Sequence, residues 1–320
     1  MPDYSVLAPV APLRPEQLLP YAALVQWTSA ARLWQGQTTA VDPHQMFAAV
    51  SAAGFRVPSA TGVTLMPLRH PMEAALQART LAAITGHPFV AGFGPAAAIF
   101  QDGLMPRAYR SPIKAAREYV TIVRGLLDGG SVDVDGEYFQ CSGGLPSLPS
   151  PPVEVGLGVL RPGMARLAGE VADTVITWLT TSDYVRDTIV PAVREGAERA
   201  GRPMPRIVCM TPVALAGEDR DPVRLALASN LAHMSLPHYV DMLGRSGIHV
   251  DVRRPEEAAK ALIKGRAFLY GTGDEVSRDL DAYHEAGADE VVLNVSGVCQ
   301  LHGAATALRE LEAILKGVER

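Results

Sequence analysis

The sequence has no dense block of lysine or arginine, and its net charge is −5. A nucleic-acid-binding surface therefore has little support. Polyanionic cofactors stay compatible, because backbone amides at helix starts hold phosphates without a basic patch. Cysteine is scarce. Cys141, Cys209 and Cys299 lie far apart and are odd in number. They give neither a disulfide framework nor a CxxC metal site, and they fit a reducing, cytoplasmic setting. No run reaches the ~18 uninterrupted apolar residues of a membrane span. The opening MPDYSVLAPVAPLRPEQ has no basic region ahead of a long apolar run, so it is not read as a signal peptide. His44, His87, His233, His238, His249, His284 and His302 form no metal-spaced pair on a clear site element. His233 and His238 stand five apart across Pro237, poor geometry for one helix face, and no metal is expected.

Against those absences stands a globular composition. Hydrophobic residues make up 48% and charged residues 20% of 320, so the chain can bury a large core. Short apolar runs alternate with longer amphipathic stretches. YSVLAPV, RLWQGQT (ending near Gln37), RVPSATGVTLMP and PFVAGFG read as the first four strands. The fourth is apolar on both faces, as in a parallel sheet. PEQLLPYAALVQWTSA, DPHQMFAAVSAAG, HPMEAALQARTLAAIT and SPIKAAREYVTIVRGLLDG read as helices. Pro15 is placed as a first-turn proline, Asp42 as a cap before Pro43, and Ser111 as a cap before Pro112.

The texture then changes. SVDVDGEYFQ alternates and carries Asp135-Gly136, a hairpin signal. CSGGLPSLPSPP is rich in Gly, Ser and Pro yet too apolar for a free linker. Residues 140–152 are therefore expected to form an ordered loop over the barrel mouth. VEVGLGV, DTVITWL, RIVCMTPVAL and DEVVLNV resume the strands. RPGMARLAGEVA, GTGDEVSRDLDAYHEAGA and HGAATALRELEAILKG read as helices, and SDYVRDTIVPAVREGAERAG as one broken or kinked near Pro191. Residues 221–267 lack strand character and read as a helical insertion.

Eight parallel-type strands alternating with helices, plus one late insertion, predict a single α/β domain over residues 1–320, a (β/α)8 TIM barrel. A doubly wound open sheet is the alternative. It is disfavoured because no early GxGxxG turn is present, and GFGPAA at 92–97 matches that pattern only superficially. In a barrel the ligand site lies at the C-terminal strand ends. Those ends are Pro9-Val10, Gln35 to Thr38, Thr61 to Leu65, Gly92 to Ala97, Gly156 to Gly158, Trp178 to Thr180, Thr211-Pro212 and Asn294 to Ser296. They hold many small or amide residues and no carboxylate cluster, which suits an organic cofactor better than a metal.

Several stretches, taken in order, resemble the luciferase-like flavin and deazaflavin oxidoreductases of the bacterial luciferase superfamily. They are TGVTLMPLRHP followed by a helix ending in TL, FVAGFGPA, AREYVTIVRGLLDGGSVDVDGEYF, PPVEVGLGVLRPGMARLAGEVADTVITW and YGTGDEVSRDLDAYHEAGADEVVLN. Each is weak alone; the ordered set covers most of the chain and is fairly specific. The resemblance implies a (β/α)8 barrel with a late insertion, binding FMN or the deazaflavin coenzyme F420. The style of GFGP followed by the REYVTIVRGLLDG helix is closer to the F420-dependent branch, with FMN as the alternative.

The resemblance also implies site residues. Thr61, Gly62 and Val63 would form a third-strand bulge with a non-proline cis peptide at Gly62-Val63 behind the deazaflavin ring; an ordinary bulge is the plainer reading. Gly92, Phe93 and Gly94 would bring backbone close to the ring or its ribityl chain, or simply make a tight turn. Gly156 and Gly158 lead to Arg161, Pro162, Gly163 and Met164. Free amides at that helix start can receive a phosphate, with Arg161 adding charge, or the segment is a simple loop. Gln37 would lie near the deazaflavin or bond to backbone. Trp178 would wall the pocket or merely pack.

Departures from the family pattern narrow the activity. Sugar-phosphate-oxidising relatives use a His after the second strand and a Glu after the fourth as acid and base. The matching places here hold Thr38 and Ala97. The resemblance then implies an F420H2-dependent reductase that delivers hydride to an activated C=C or C=N. The protein would mainly position its ligands, with a hydroxyl or water supplying the proton. Tyr109, Tyr184 and Tyr239 are candidate donors that the sequence does not rank. The substrate would be a small molecule or natural product, a dehydroamino acid in a peptide among them. An FMN-dependent monooxygenase and a non-catalytic ligand- or partner-binding barrel are the competing readings. Arg69 and His70 fall past the third strand, where they are expected to cap, pair or serve a subunit contact such as a homodimer's.

Overall fold

A computed structural model describes residues 3–9 and 11–318. Val10, expected at the end of the first strand, lies outside the described residues. So do residues 1–2 and 319–320, which the single-domain expectation also spans. The strands are β1 (Asp3–Leu7), β2 (Leu33–Gln35), β3 (Ser59–Leu65), β4 (Phe89–Gly94), β5 (Ser131–Asp135), β6 (Gln140–Gly144), β7 (Val153–Gly158), β8 (Thr174–Trp178), β9 (Arg206–Leu215), β10 (Leu269–Gly271) and β11 (Glu290–Asn294). The hydrogen-bonded order is β9, β11, β1, β2, β3, β4, β7, β8, and β8 returns to β9. This is the closed eight-stranded parallel barrel with surrounding helices that the alternating pattern predicts. No helix among the described residues is long and apolar enough to cross a membrane.

The chain divides into two compact units. The first comprises residues 1–34, 177–191 and 206–320. In it β11 lies between β1 and β9, with Glu290 in register with Asp3 on one side and Val208 on the other. Glu290 is fully buried. A buried carboxylate is tolerated only when it is paired. Here the Trp34 indole Nε1 donates to it at 2.6 Å, Arg206 at 2.9 Å, and Arg32 pairs with it at 3.2 Å. Tyr283, also buried, donates its hydroxyl to the Thr180 carbonyl at 2.7 Å.

The insertion at 221–267 consists of three helices, Pro222–Met234, Pro237–Arg245 and Pro255–Lys264, each with a proline in its first turn. Asp221 caps the first by accepting from the Val223 and Arg224 amides. Near Pro191 the expected break is a single π turn, Val185–Ile189, ahead of the helix Val190–Ala200. One expectation needs correction in this unit, and two elements carry no expectation from the sequence. The first helix does not start at Pro15; a 3-10 turn, Pro15–Gln17, precedes the α-helix Leu19–Trp27. The short strand β10 pairs with the end of β9. A helix, Ser296–His302, also occupies the last strand-to-helix connection.

The second unit comprises residues 35–176 and 192–205. Its core is built on β3, β4 and β7, with Phe47, Phe89, Phe93, Tyr119 and Met66 fully buried. The expected caps are present. Asp42 accepts from the His44 and Gln45 amides, and Ser111 accepts from Lys114. Asp42 also holds Arg69 at 2.6 Å. Burial alone would raise the Asp42 carboxyl, but His44, the Gln45 amide and Arg69 bring it down to about 2. His70 caps the helix Pro71–Thr85 by accepting the Met72 amide on Nδ1. Its Nε2–H then donates to the Gln140 carbonyl at 2.8 Å. Arg69 and His70 thus pair and cap, as expected.

The Asp135-Gly136 signal marks a real hairpin, β5 against β6. Its tip is held from outside. Glu118, on the helix Pro112–Leu127, accepts from the three consecutive amides of Glu137, Tyr138 and Phe139 at 3.0, 2.8 and 3.1 Å. Three boundaries differ from expectation here. The second strand stops at Gln35, so Gln37 lies beyond it. Residues 140–144 of the expected mouth loop belong to β6. A short helix, Ala98–Leu104, follows β4.

Candidate active site

The end of β3 departs from regular pairing. Its register against β4 skips between Thr61 and Thr64, and the Gly62-Val63 peptide is cis. The bulge is pinned by hydroxyls. Thr61 Oγ1 accepts from the Gly92 amide at 3.0 Å, and Thr64 Oγ1 donates to the Gly92 carbonyl at 3.1 Å. The Val63 carbonyl accepts from the Gln37 amide at 3.2 Å. Gln37 spends its side-chain amide on the Thr38 carbonyl at 2.7 Å, while its Oε1 is buried with no partner among the described residues.

The glycines at these strand ends work in two layers. In the inner layer, a Cβ on Gly92 would lie 2.2 Å from the Thr61 carbonyl oxygen and 2.5 Å from Ile176 Cδ1. A Cβ on Gly156 would lie 2.8 Å from the same Ile176 atom. The chain itself fills the space beside both residues. In the outer layer, a Cβ on Gly94 would lie 2.8 Å from Val63 Cγ2, and one on Gly158 would lie 3.4 Å from Val63 Cγ1. Val63 therefore rests over the bare backbone of β4 and β7. The Phe93 side chain points the other way, into the core against Tyr119 at 5.1 Å, so only its backbone belongs to the site.

β7 leads into the helix Pro162–Val171, with Arg161 at the cap position and no side-chain cap. The first amides of a helix have no intrahelical acceptor and carry the positive end of its dipole. Gly163 and Met164 supply those amides. A side chain at Gly163 would crowd Ile113 Cδ1 at 3.2 Å, so glycine lets the helix start pass this neighbour.

Trp178 belongs to the other unit and stands in a cluster of its own. Its ring stacks on His233 at 4.9 Å and 29°, and His233 meets Tyr239 edge-on at 5.0 Å. Trp178 Nε1 and His233 Nδ1 are buried without partners among the described residues. Burial, with His238 beside it, lowers His233 to about 4, so its imidazole is neutral at ordinary pH. Burial also raises the Tyr239 hydroxyl. Sequence reading missed this stack. Its only signal was two histidines and a tyrosine inside the insertion.

The ends of β2 and β4 carry no acid or base at the places that Thr38 and Ala97 occupy. The Thr38 hydroxyl closes a local turn, accepting from Val41 and donating to its carbonyl. Ala97 is the cap residue of the short helix Ala98–Leu104. Among the described residues no group of three or more His, Cys, Asp or Glu is arranged to hold a metal ion. Gln37, Thr61, Gly62, Val63, Gly92, Gly94, Gly156 and Gly158 thus meet at neighbouring strand ends, with an uncapped helix start following β7. The arrangement offers a smooth floor, one amide oxygen without a partner among the described residues, and the first amides of a helix with no side-chain cap.

Known proteins share this architecture. The family model described as luciferase-like monooxygenase matches residues 5–290. A 5,10-methylenetetrahydromethanopterin reductase of Methanolobus tindarius is 28% identical over 173 residues, 53% of this chain and 52% of that one. An F420-dependent glucose-6-phosphate dehydrogenase of Gordonia bronchialis is 29% identical over 185 residues, 57% of this chain and 54% of that one. The chain thus spans about half the length of these two curated relatives. A solved coenzyme F420-dependent tetrahydromethanopterin reductase from Methanopyrus kandleri superposes with a TM-score of 0.77 at 18% identity, covering 99% of this chain and 98% of that one. At that identity the superposition speaks for the fold alone. The family match, spanning most of the barrel, carries further: this chain belongs to the luciferase-like monooxygenase family.

Proposed function

We propose that this protein is a coenzyme F420-dependent oxidoreductase that works as a reductase, on an activated C=C or C=N of a small molecule or natural product. Two relatives named above are a reductase and an F420-dependent dehydrogenase, which supports the cofactor class. The residues present fit a deazaflavin. Val63, lying over Gly94 and Gly158, makes a floor without projecting polar atoms for a flat ring system. The buried, unpartnered Gln37 Oε1 is an acceptor for a ring-edge N–H. The amides of Gly163 and Met164 suit a phosphate.

When bound, F420H2 supplies the hydride. This chain's part is to bind, orient and exclude water. The single observation that carries the reductase direction is at positions 38 and 97. An alcohol must lose a proton as it loses hydride, and Thr38 and Ala97 provide no base for it. Reduction of a polarised double bond asks only for a proton from a hydroxyl or water.

The test is to titrate the protein with F420 and with FMN separately, then follow F420H2 oxidation with a panel of enones, imines and dehydroamino-acid peptides. We expect F420 to bind and at least one unsaturated acceptor to be reduced. Tight FMN binding without F420 binding would sink the proposal, and oxygen consumption with FMNH2 would then favour a monooxygenase. Oxidation of alcohols with F420 as acceptor, at rates above any reduction, would overturn the direction.

A further inference from the structure

A cavity of about 900 Å³ opens beside the end of β3. Three segments and Glu73 wall it: the turn after β3 from Met66 to His70, the loop Met105–Arg110, and the hairpin tip Glu137–Phe139. Two of its side chains are almost wholly buried and incompletely bonded. Tyr109 is 8% exposed, with its ring edge-on to Tyr138 at 5.3 Å and tilted against Phe139 at 5.9 Å. Its hydroxyl has no partner among the described residues. The Arg69 side chain is likewise 8% exposed. One of its terminal nitrogens holds Asp42, and the other, Nη1, has no hydrogen-bond partner among the described residues. Arg107 is exposed and in no ion pair among the described residues.

Buried donors left unmade cost about 1–3 kcal/mol each, and native folds keep few of them. Here the two residues that carry them line one cavity, and an acceptor brought from outside would complete both. The charges say which acceptor. Arg69, Arg107 and Arg110 line the cavity against Glu73 and Glu137, three cations to two anions, a balance of one positive charge. Adding the pairing partners Asp42 and Lys114 leaves that balance unchanged. One negative charge is matched. A phosphate near its dianionic form would overshoot beside Glu73 and would want more donors than two. A carboxylate has two oxygens for an arginine N–H and a tyrosine O–H. Burial pushes the Tyr109 hydroxyl up to about 12, so it keeps its proton and donates.

The surface beside the cavity is apolar. The helix Ala98–Leu104 packs on the turn Met66–Leu68. It leaves Ile99 73% and Phe100 45% exposed, with Leu104 and Leu68 also open. So large an apolar face on a seven-residue helix, next to an oxyanion site, suits a ligand with both characters.

We infer that this cavity recognises the carboxylate of an otherwise apolar ligand, with Arg107 at its mouth, Arg69 and Tyr109 as buried donors, and helix Ala98–Leu104 against the hydrocarbon. Neither buried donor atom is open to water, so the Met105–Arg110 loop gives way slightly as the carboxylate enters. That this ligand is the reductase's substrate rests on the function proposed above; the binding chemistry does not.

The experiment uses the full chain without cofactor. Octanoate, acetate, 1-octanol and inorganic phosphate are titrated by calorimetry into the native protein and three variants. Octanoate should bind most tightly. Tyr109→Phe keeps the ring and removes only the hydroxyl. It and Arg107→Gln should each weaken octanoate about tenfold or more, the range for a hydrogen bond to a charged group. Ile99→Ser, at an exposed position, should weaken octanoate and leave acetate unchanged. Equal binding of octanoate and octanol, tighter binding of phosphate, or unchanged octanoate affinity in both Tyr109→Phe and Arg107→Gln would overturn the inference. F420 itself carries carboxylates on its tail, and its tail-less deazaflavin precursor does not. If Tyr109→Phe weakens F420 and spares the precursor, the carboxylate comes from the cofactor, and the substrate assignment falls. Octanoate failing to bind while F420H2 is turned over refutes this inference alone. Octanoate binding without F420 binding refutes the proposed function alone.

Discussion

At the start of β11 the Glu290 carboxylate is met by an indole N–H and two guanidinium groups, whereas beside β3 the Tyr109 hydroxyl and one Arg69 nitrogen have no hydrogen-bond partner among the described residues. Both regions bury polar atoms. In the first the chain itself supplies the countercharges, with Arg32 Nε held by charge at 3.2 Å rather than by a formed hydrogen bond, which marks it as part of what holds the fold. The second is left open by the chain, which marks it as a place for something else. The contrast separates a buried charge that serves stability from buried polar atoms that serve binding, and neither burial nor residue type would separate them alone.

The largest effect should come from the first region. Glu290→Ala strands the buried Arg32 and leaves the half-buried Arg206 with Asp3 at 3.5 Å, and a broken buried pair costs about 3–5 kcal/mol. Urea denaturation would measure it. A loss below about 1 kcal/mol would mean that solvent already screens the pair, and the contrast would fail.

The two glycine layers give the next test. Gly92→Ala drives a Cβ into the Thr61 carbonyl, which cannot swing away, and overpacking of this kind costs about 1–3 kcal/mol. Gly94→Ala meets only the Val63 side chain, so it should cost less stability while weakening deazaflavin binding. Thermal melts and F420 titration on both variants would check this. If Gly94→Ala is the more destabilising, the outer layer is packing and not floor.

The smallest effect is the sharpest. Tyr283→Phe removes a made hydrogen bond to the Thr180 carbonyl and should cost about 1 kcal/mol, plus the penalty on the abandoned acceptor. Tyr109→Phe removes an unmade one and should be neutral or slightly stabilising in the protein without ligand. Equal losses in the two variants would show that Tyr109 already has a partner such as water.

Much of this was legible in the sequence because local chemistry decides it. Asp42 before Pro43 and Ser111 before Pro112 cap helices through neighbours two or three residues on, and alternating apolar runs mark the strands. Arg69 and His70, sited past the third strand, pair and cap there. The expectation of a cis peptide at Gly62-Val63 came from family resemblance and is met. What stayed hidden depends on contacts distant in sequence. Nothing near Gly92 says that Ile176 fills the space beside it. The helix Ala98–Leu104 is short, lacks a side-chain cap and turns apolar residues outward, so it has no helix signature. The cavity joins Arg69, Tyr109 and Phe139 from three segments, and the sequence offered only Tyr109, as an unranked proton donor.

Glu118 gives the hairpin tip a property of a different kind. One carboxylate on a helix holds three consecutive amides of the tip, so the loop's path does not rest on the side chain at 137. The exposed ion pairs that Glu137 makes contribute little to holding it. Position 137 is thus free to mutate without remodelling the loop, whereas the Phe139 ring packs on Tyr109 and Tyr119. A lineage can retune what the adjoining cavity admits by single substitutions at 137, and in directed evolution that is the codon to randomise first.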